Sequence, residues 1–174
     1  KARVRLGYAR SDTKEPNWLF TNRQVSMNGE VMHRIDRDIR LLNNLGIKTE
    51  YRWPPFAYQA DETKVVDEFL SALPQQGPVI VLNPGTSERL KTQRWDADYF
   101  ASIADYFVLS RRAKVVVTWG PGELKLAEDI VQTATEKISL SPELGSLRSL
   151  GYLLSRADLV LGPDTGPLHL ADIQ

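Results

Sequence analysis

The stretch that decides the fold is Val79-Ile80-Val81-Leu82-Asn83-Pro84-Gly85-Thr86. Four apolar residues run without alternation and stop at a polar, glycine-containing turn. A strand with one wet face alternates apolar and polar residues; a strand covered on both faces does not. The run therefore predicts a central strand of a parallel sheet, with helices above and below it. The turn predicts a loop at the strand's carboxyl end, where open parallel sheets bind ligands.

Toward the C-terminus the same pattern recurs. Asp96 to Arg112 carries Phe100, Ile103, Ala104 and Phe107 at helical spacing. Lys114 to Trp119 is a Val-rich strand. Glu123 to Ala134 reads as a helix burying Leu126, Ala127, Ile130 and Val131, and Ile138 to Leu140 as a short strand. Ser146 to Ala157 is a helix with Ser146 as its N-cap and Leu147, Leu150, Leu153 and Leu154 inward. Asp158 to Gly162 is another strand. Strands alternating with helices predict an α/β fold: an open, mainly parallel sheet with helices on both faces.

Toward the N-terminus the pattern is looser. Pro74-Gln75-Gln76-Gly77-Pro78 reads as a hinge, dividing residues 1–76 from residues 77–174. Before it, Asp61 to Leu73 predicts a helix burying Val65, Val66, Phe69 and Leu70. Val31 to Leu45 predicts another, with Ile35, Ile39 and Leu42 on one face and Gly46 as its stop. Lys1 to Gly7 reads as a short strand. Residues 8 to 30 read as a long loop, of the kind that is functional or mobile in a compact domain.

Composition narrows the function classes. The 174 residues contain 22 basic and 22 acidic side chains, without the basic excess of a nucleic-acid platform. There is no cysteine, so disulfides and thiolate zinc sites are excluded, and two histidines at unrelated positions suggest no metal site. That composition is consistent with a reducing cytoplasm. No apolar run approaches the roughly 18 residues of a membrane span, and no signal peptide is visible. The chain does not begin with Met, which fits a piece of a longer protein.

The loops after the strands carry the chemistry. After the first come Asn83-Pro84-Gly85-Thr86-Ser87. Gly85 permits close backbone approach, and Thr86 and Ser87 offer hydroxyls and N–H groups of the kind phosphates use. Arg89, Lys91 and Arg94 lie just beyond and can supply positive charge. After the second come Gly120-Pro121-Gly122-Glu123, and a carboxylate there can accept hydrogen bonds from two ribose hydroxyls. After the fourth come Asp164-Thr165-Gly166-Pro167-Leu168-His169, where a helix begins at once and Thr165 and Gly166 would present N–H groups at its positive end. Taken singly, each loop is also an ordinary turn or helix cap, and His169 also reads as a packed histidine. Their convergence on one sheet edge favours a phosphate-bearing ligand. The P-loop pattern and the full Gly-x-Gly-x-x-Gly fingerprint are absent.

These motifs, in this order, resemble glycosyltransferase family 9. The residues that carry the likeness are Leu82 to Ser87, Arg94-Trp95, Trp119 to Glu123 and, most specifically, Gly162 to Ala171. Before Gly77 the likeness is looser, through Arg5 to Tyr8, His33 to Arg37, Leu41-Leu42 and Leu45-Gly46. The resemblance implies a GT-B fold: two Rossmann-like domains with the active site between them. Residues 1–76 would close the N-terminal, acceptor domain and residues 77–174 would form an incomplete donor domain. It implies an inverting transferase that moves a sugar from a nucleoside diphosphate, expected to be ADP-heptose, to a lipopolysaccharide core acceptor. No cofactor and no metal is expected.

By the same resemblance Thr86 and Ser87 meet the donor phosphates, Glu123 the nucleoside, and Thr165 and Gly166 the pyrophosphate. Asp164 and His169 reach the sugar or its phosphates. Many members carry a Lys two positions before the Trp. Here that position is Gln93, and Lys91 is the candidate replacement. The catalytic base is expected early in the N-terminal domain, ahead of Lys1. Asp172 is a charged residue where the family is small or apolar. The expected partners are the donor and a glycolipid at the inner membrane surface, with a cytoplasmic or peripheral location, and the chain alone is expected to be inactive and to self-associate. Two alternatives stay open: another GT-B sugar-nucleotide enzyme, such as an epimerase, and a non-catalytic nucleotide-binding module. The Asp-Thr-Gly triplet also occurs in aspartic proteases, but those are β-rich and need two copies.

Overall fold

The structure, a computed structural model, describes residues 2–49, 56–86, 92 and 94–174. It divides into two compact units, Lys1–Pro54 and Pro55–Gln174.

In the first unit, β1 (Leu6–Tyr8) pairs in parallel with β2 (Arg23–Val25), and α1 (Arg34–Asn44) follows. The expected strand at residues 1–7 is cut short because the side chain of Asn22 takes over its ladder. Arg5 N donates to Asn22 Oδ1 at 2.7 Å, and Asn22 Nδ2 donates to the Arg3 carbonyl at 2.9 Å. The expected long loop over residues 8–30 is a correction: it contains two 3₁₀ turns, Arg10–Asp12 and Pro16–Phe20, and then β2. Three-residue strands and single 3₁₀ turns are too short to express a hydrophobic period. Helix α1 forms where the apolar spacing requires it. His33 caps it through Nδ1, which accepts from Ile35 N at 3.4 Å.

The second unit is built on a four-stranded parallel sheet of β3 (Val79–Leu82), β4 (Lys114–Val117), β5 (Ser139–Leu140) and β6 (Leu159–Leu161), in the order β5-β4-β3-β6. The helices between them are α3 (Ala97–Arg111), α4 (Leu124–Thr133) and α5 (Leu147–Ser155), with α2 (Ala60–Ala72) preceding β3 and α6 (Gly166–Asp172) following β6. Successive side chains along a strand point to opposite faces. Accordingly Ile80, Leu82, Val115 and Val117 pack with Phe100 and Ala104 of α3 and Ile130 of α4. Val81 and Val116 pack on the other face with Val66 and Leu70 of α2 and Leu153 and Leu154 of α5. Both faces of β3 and β4 are dry, so their unbroken apolar runs are the pattern the sheet needs. Burying each such side chain stabilises the fold by about 1.5–3 kcal/mol.

The expected domain boundary after residue 76 does not coincide with the division between the compact units. The Pro74–Pro78 segment separates two parts of the same unit, because α2 packs on the sheet rather than ahead of it. The first turn of α2 carries a capping box, with Gln59 N donating to Glu62 Oε2 at 3.0 Å. The other oxygen of Glu62 accepts from Ser146 Oγ at 2.7 Å, so the starts of α2 and α5 are joined. Further along, Tyr152 donates to Asp67, and Lys114 Nζ donates to the Leu70 carbonyl at 3.1 Å. Among the described residues no helix is long and apolar enough to cross a membrane.

Candidate functional site

All four strands of the sheet in the second unit run the same way, so their carboxyl ends share one edge. The runs of β3, β4 and β5 are each prolonged there by a polar residue that ties the strand to its neighbour. Asn83 N donates to the Leu161 carbonyl at 2.8 Å, Thr118 N to the Leu82 carbonyl at 2.8 Å, and Ser141 N to the Val117 carbonyl at 2.9 Å. The buried Thr118 hydroxyl shares its one proton between the Leu82 carbonyl at 3.2 Å and Asn83 Oδ1 at 3.1 Å. Trp119 Nε1 donates to the Ser141 carbonyl at 3.1 Å. The loops therefore leave the sheet from a rim tied strand to strand by backbone hydrogen bonds, in which the buried Ser141 Oγ has no partner.

Above that rim lies a cleft of about 370 Å³, lined by Asn83, Gly85, Thr86, Glu123, Asp164, Thr165, Gly166 and Pro167. Three loops, separated in sequence by α3, α4 and α5, meet in it. Their approach depends on glycine at two points. A Cβ on Gly85 would collide with the Glu123 carboxylate, and a Cβ on Gly162 would collide with the Asn83 carbonyl. Only a residue without a side chain lets the Glu123 carboxylate lie against the β3 loop, and the backbone of β6 meet that of β3, this closely.

Glu123 and Asp164 are the acidic residues that line the cleft among the described residues, and Glu123 is the more enclosed. It sits at the N-cap of α4, and its Oε2 accepts from Gly120 N at 3.1 Å. Its Oε1 lies 3.9 Å from a terminal nitrogen of Arg94. Arg94 in turn donates from Nε to Thr86 Oγ1 at 3.2 Å and from Nη2 to the Thr86 carbonyl at 2.9 Å. The α6 side of the cleft is a helix start: Thr165 is the N-cap, Gly166 the first helical residue, and Pro167 has no N–H to offer. The first N–H groups of a helix lack intrahelical partners and sit at the positive end of its dipole.

Of the expected site residues, Thr86, Glu123, Asp164, Thr165 and Gly166 come together on the cleft. Among the described residues His169 is not part of its wall; Nε2 lies 3.4 Å from Asp164 Oδ1, and both side chains are largely exposed. Ser87 and Lys91, with Arg89 and Gln93, lie outside the described residues. Thr118 is a structural member of the site outside the expected loops, and Asn83 and Arg94, which belong to the first of those loops and its flank, are structural members as well. Asn83 and Thr118 announce themselves in the sequence as the first polar residue after an apolar run. Arg94, expected as general positive charge for the loop, spends its donors on Thr86.

Residues 1–173 match the family model described as "Glycosyltransferase family 9 (heptosyltransferase)". The chain is 26% identical to the lipopolysaccharide core heptosyltransferase OpsX of Haemophilus influenzae, over 100% of this chain and 49% of that protein. Its fold is similar to a solved glycosyl transferase of family 9 from Veillonella parvula, with a TM-score of 0.71 at 23% identity, covering 98% of this chain and 48% of that one. It is also similar to the E. coli heptosyltransferase WaaC solved with ADP-2-deoxy-2-fluoro heptose, with a TM-score of 0.62 at 23% identity, covering 98% of this chain and 51% of that one. The chain thus spans about half the length of the relatives it matches.

Proposed function

The chain belongs to glycosyltransferase family 9, the heptosyltransferases, and from that membership we propose that its cleft is the nucleotide-sugar donor site of an inverting glycosyltransferase of lipopolysaccharide core assembly. The observation that carries this reading is the meeting of Thr86, Glu123, Asp164, Thr165 and Gly166 at the carboxyl edge of a parallel sheet. An edge of that kind suits a nucleotide: N–H groups for phosphate and a carboxylate for ribose. The E. coli relative was solved with an analogue of ADP-heptose, which supports ADP-heptose as the donor.

In this reading the diphosphate lies between the β3 loop, at Thr86 and Ser87, and the start of α6, at Thr165 and Gly166. Glu123 accepts from the ribose hydroxyls. Asp164 and His169 face the sugar or its phosphates, and Lys91 adds positive charge. The acceptor, a glycolipid at the inner membrane surface, attacks the anomeric carbon from the face opposite the diphosphate. The bond from that carbon to the phosphate oxygen breaks, the electron pair leaves with the nucleoside diphosphate, and a base takes the acceptor proton. The cleft stabilises the departing negative charge by hydrogen bonds already in place. The base and the acceptor site belong to the part of the relatives that this chain does not span. A base contributes about two to four orders of magnitude, and holding the acceptor in place about 7–11 kcal/mol. The chain alone therefore transfers no sugar.

An NMR titration with ADP tests the donor site. The expected outcome is saturable shifts of the amides of Gly85, Thr86, Gly120, Glu123 and Gly166. Absence of binding, or shifts confined to other surfaces, would remove the reading.

A further inference from the structure

Arg94 stands behind the wall of the cleft. Its side chain is 19% exposed and reaches back from the segment ahead of α3 toward the β3 loop. Two of its donors hold one residue, Thr86, by hydroxyl and carbonyl, at 3.2 and 2.9 Å. A two-point grip sets the plane of a guanidinium in a way that a lysine ammonium cannot reproduce. The nitrogen on the Thr86 carbonyl is also the one 3.9 Å from Glu123 Oε1. Glu123 is held on its other oxygen by the Gly120 N–H, and the missing Cβ of Gly85 makes the room that its carboxylate occupies. Three segments thus converge on one carboxylate. A partly exposed pair at that separation adds little to stability, so the arrangement serves orientation.

We infer that Arg94 is a positioning residue: by gripping Thr86 it presents the Glu123 carboxylate to the vicinal hydroxyls of the nucleotide ribose. This rests on the donor-site reading above. A carboxylate binds two adjacent hydroxyls only when both oxygens face them. A glutamate already held in that pose binds the diol without the cost of ordering a side chain. An arginine acting on the phosphates instead would strengthen binding of every nucleoside diphosphate alike. The two roles separate on ligands that differ by one ribose hydroxyl.

The experiment is calorimetry of the chain with ADP and with 2′-deoxy-ADP, for wild type, Arg94→Met, Arg94→Lys and Glu123→Gln, with circular dichroism to check folding. Wild type is expected to prefer ADP by about tenfold, the size of one charge-assisted hydrogen bond. Arg94→Met should lose most of that preference, so that the two affinities converge. Release of Thr86 from its grip acts on both ligands through the diphosphate, and the ratio of the two affinities is the readout. Arg94→Lys, which keeps the charge but not the grip, should behave the same way and carries the test if the Met variant does not fold. A variant that keeps the wild-type preference, or weakens both ligands in parallel, overturns the positioning role. A wild type without the preference, or a Glu123→Gln variant that retains it, overturns the ribose reading itself and the inference with it.

Discussion

The Glu123 carboxylate lies against the backbone of Gly85 so closely that a methyl group there would occupy the same space. The two residues belong to loops after different strands, so this contact joins the β3 and β4 sides of the cleft. What Gly85 would strike is the end of a flexible side chain, not backbone. Gly85→Ala is therefore expected to leave stability within about 1 kcal/mol of wild type, since the glutamate can swing away. The displaced carboxylate then no longer meets the ribose, and ADP affinity should fall about tenfold. Thermal unfolding and calorimetry on the same variant check both halves.

Gly162 makes the opposite case. A Cβ there meets the backbone carbonyl of Asn83, a residue whose N–H donates to the Leu161 carbonyl at 2.8 Å. Nothing flexible can yield. Gly162→Ala should lower unfolding free energy by about 1–3 kcal/mol through strain between β3 and β6, measured by denaturant titration. A wild-type midpoint would show that the strands separate more freely than the register implies.

Thr118→Val preserves shape and removes one hydroxyl. Asn83 Oδ1 then loses its donor in a buried position. An unsatisfied buried acceptor costs about 1–3 kcal/mol, so a stability loss in that range is expected. Hydrogen exchange should also quicken at the amides of Asn83 and Gly85.

Asp105 sets a pH dependence. Burial pushes its pKa up, but N–H donors from Glu136 and Thr135 and the Thr135 hydroxyl outweigh that and hold it below the ordinary carboxylate value. A depressed folded-state pKa gives stability that is complete above the unfolded value and is lost as pH falls through the folded one. Asp105→Asn should therefore lower the melting temperature at pH 7. The gap to wild type should close as the pH drops below the usual carboxylate range. A gap that persists unchanged at low pH would mean that the asparagine fails sterically.

The loops that form the candidate site were legible because each follows an apolar run directly. A period of two or 3.6 residues is a local property, and a polar, glycine-bearing stop marks a strand's end whatever lies beside it. The sequence alone therefore assigns Thr86, Glu123 and Asp164 to Gly166 to one sheet edge. It does not assign the role of Arg94, since nothing in Arg94-Trp95 says that its donors turn back to Thr86 rather than out to a phosphate. His169 illustrates the same limit: its spacing from Asp164 allows contact, while its place off the cleft wall depends on how α6 leaves the sheet.

By itself the sequence determined the class of fold, the positions of α1 to α6 and of β3 to β6, and the three loops that carry polar chemistry, because these follow from hydrophobic period and turn chemistry within a few residues. The packing of α2 on the sheet, the existence of β2 and the network around Glu123 arise from contacts between segments distant in the chain. Helix α2 is tied to α5 through Glu62 and Ser146, 84 residues apart, and meets the sheet through Val66 and Leu70, and β2 exists because Leu6 to Tyr8 lies alongside it. Such pairings are settled by which distant surfaces exclude water and satisfy each other's hydrogen bonds, and no local pattern records them.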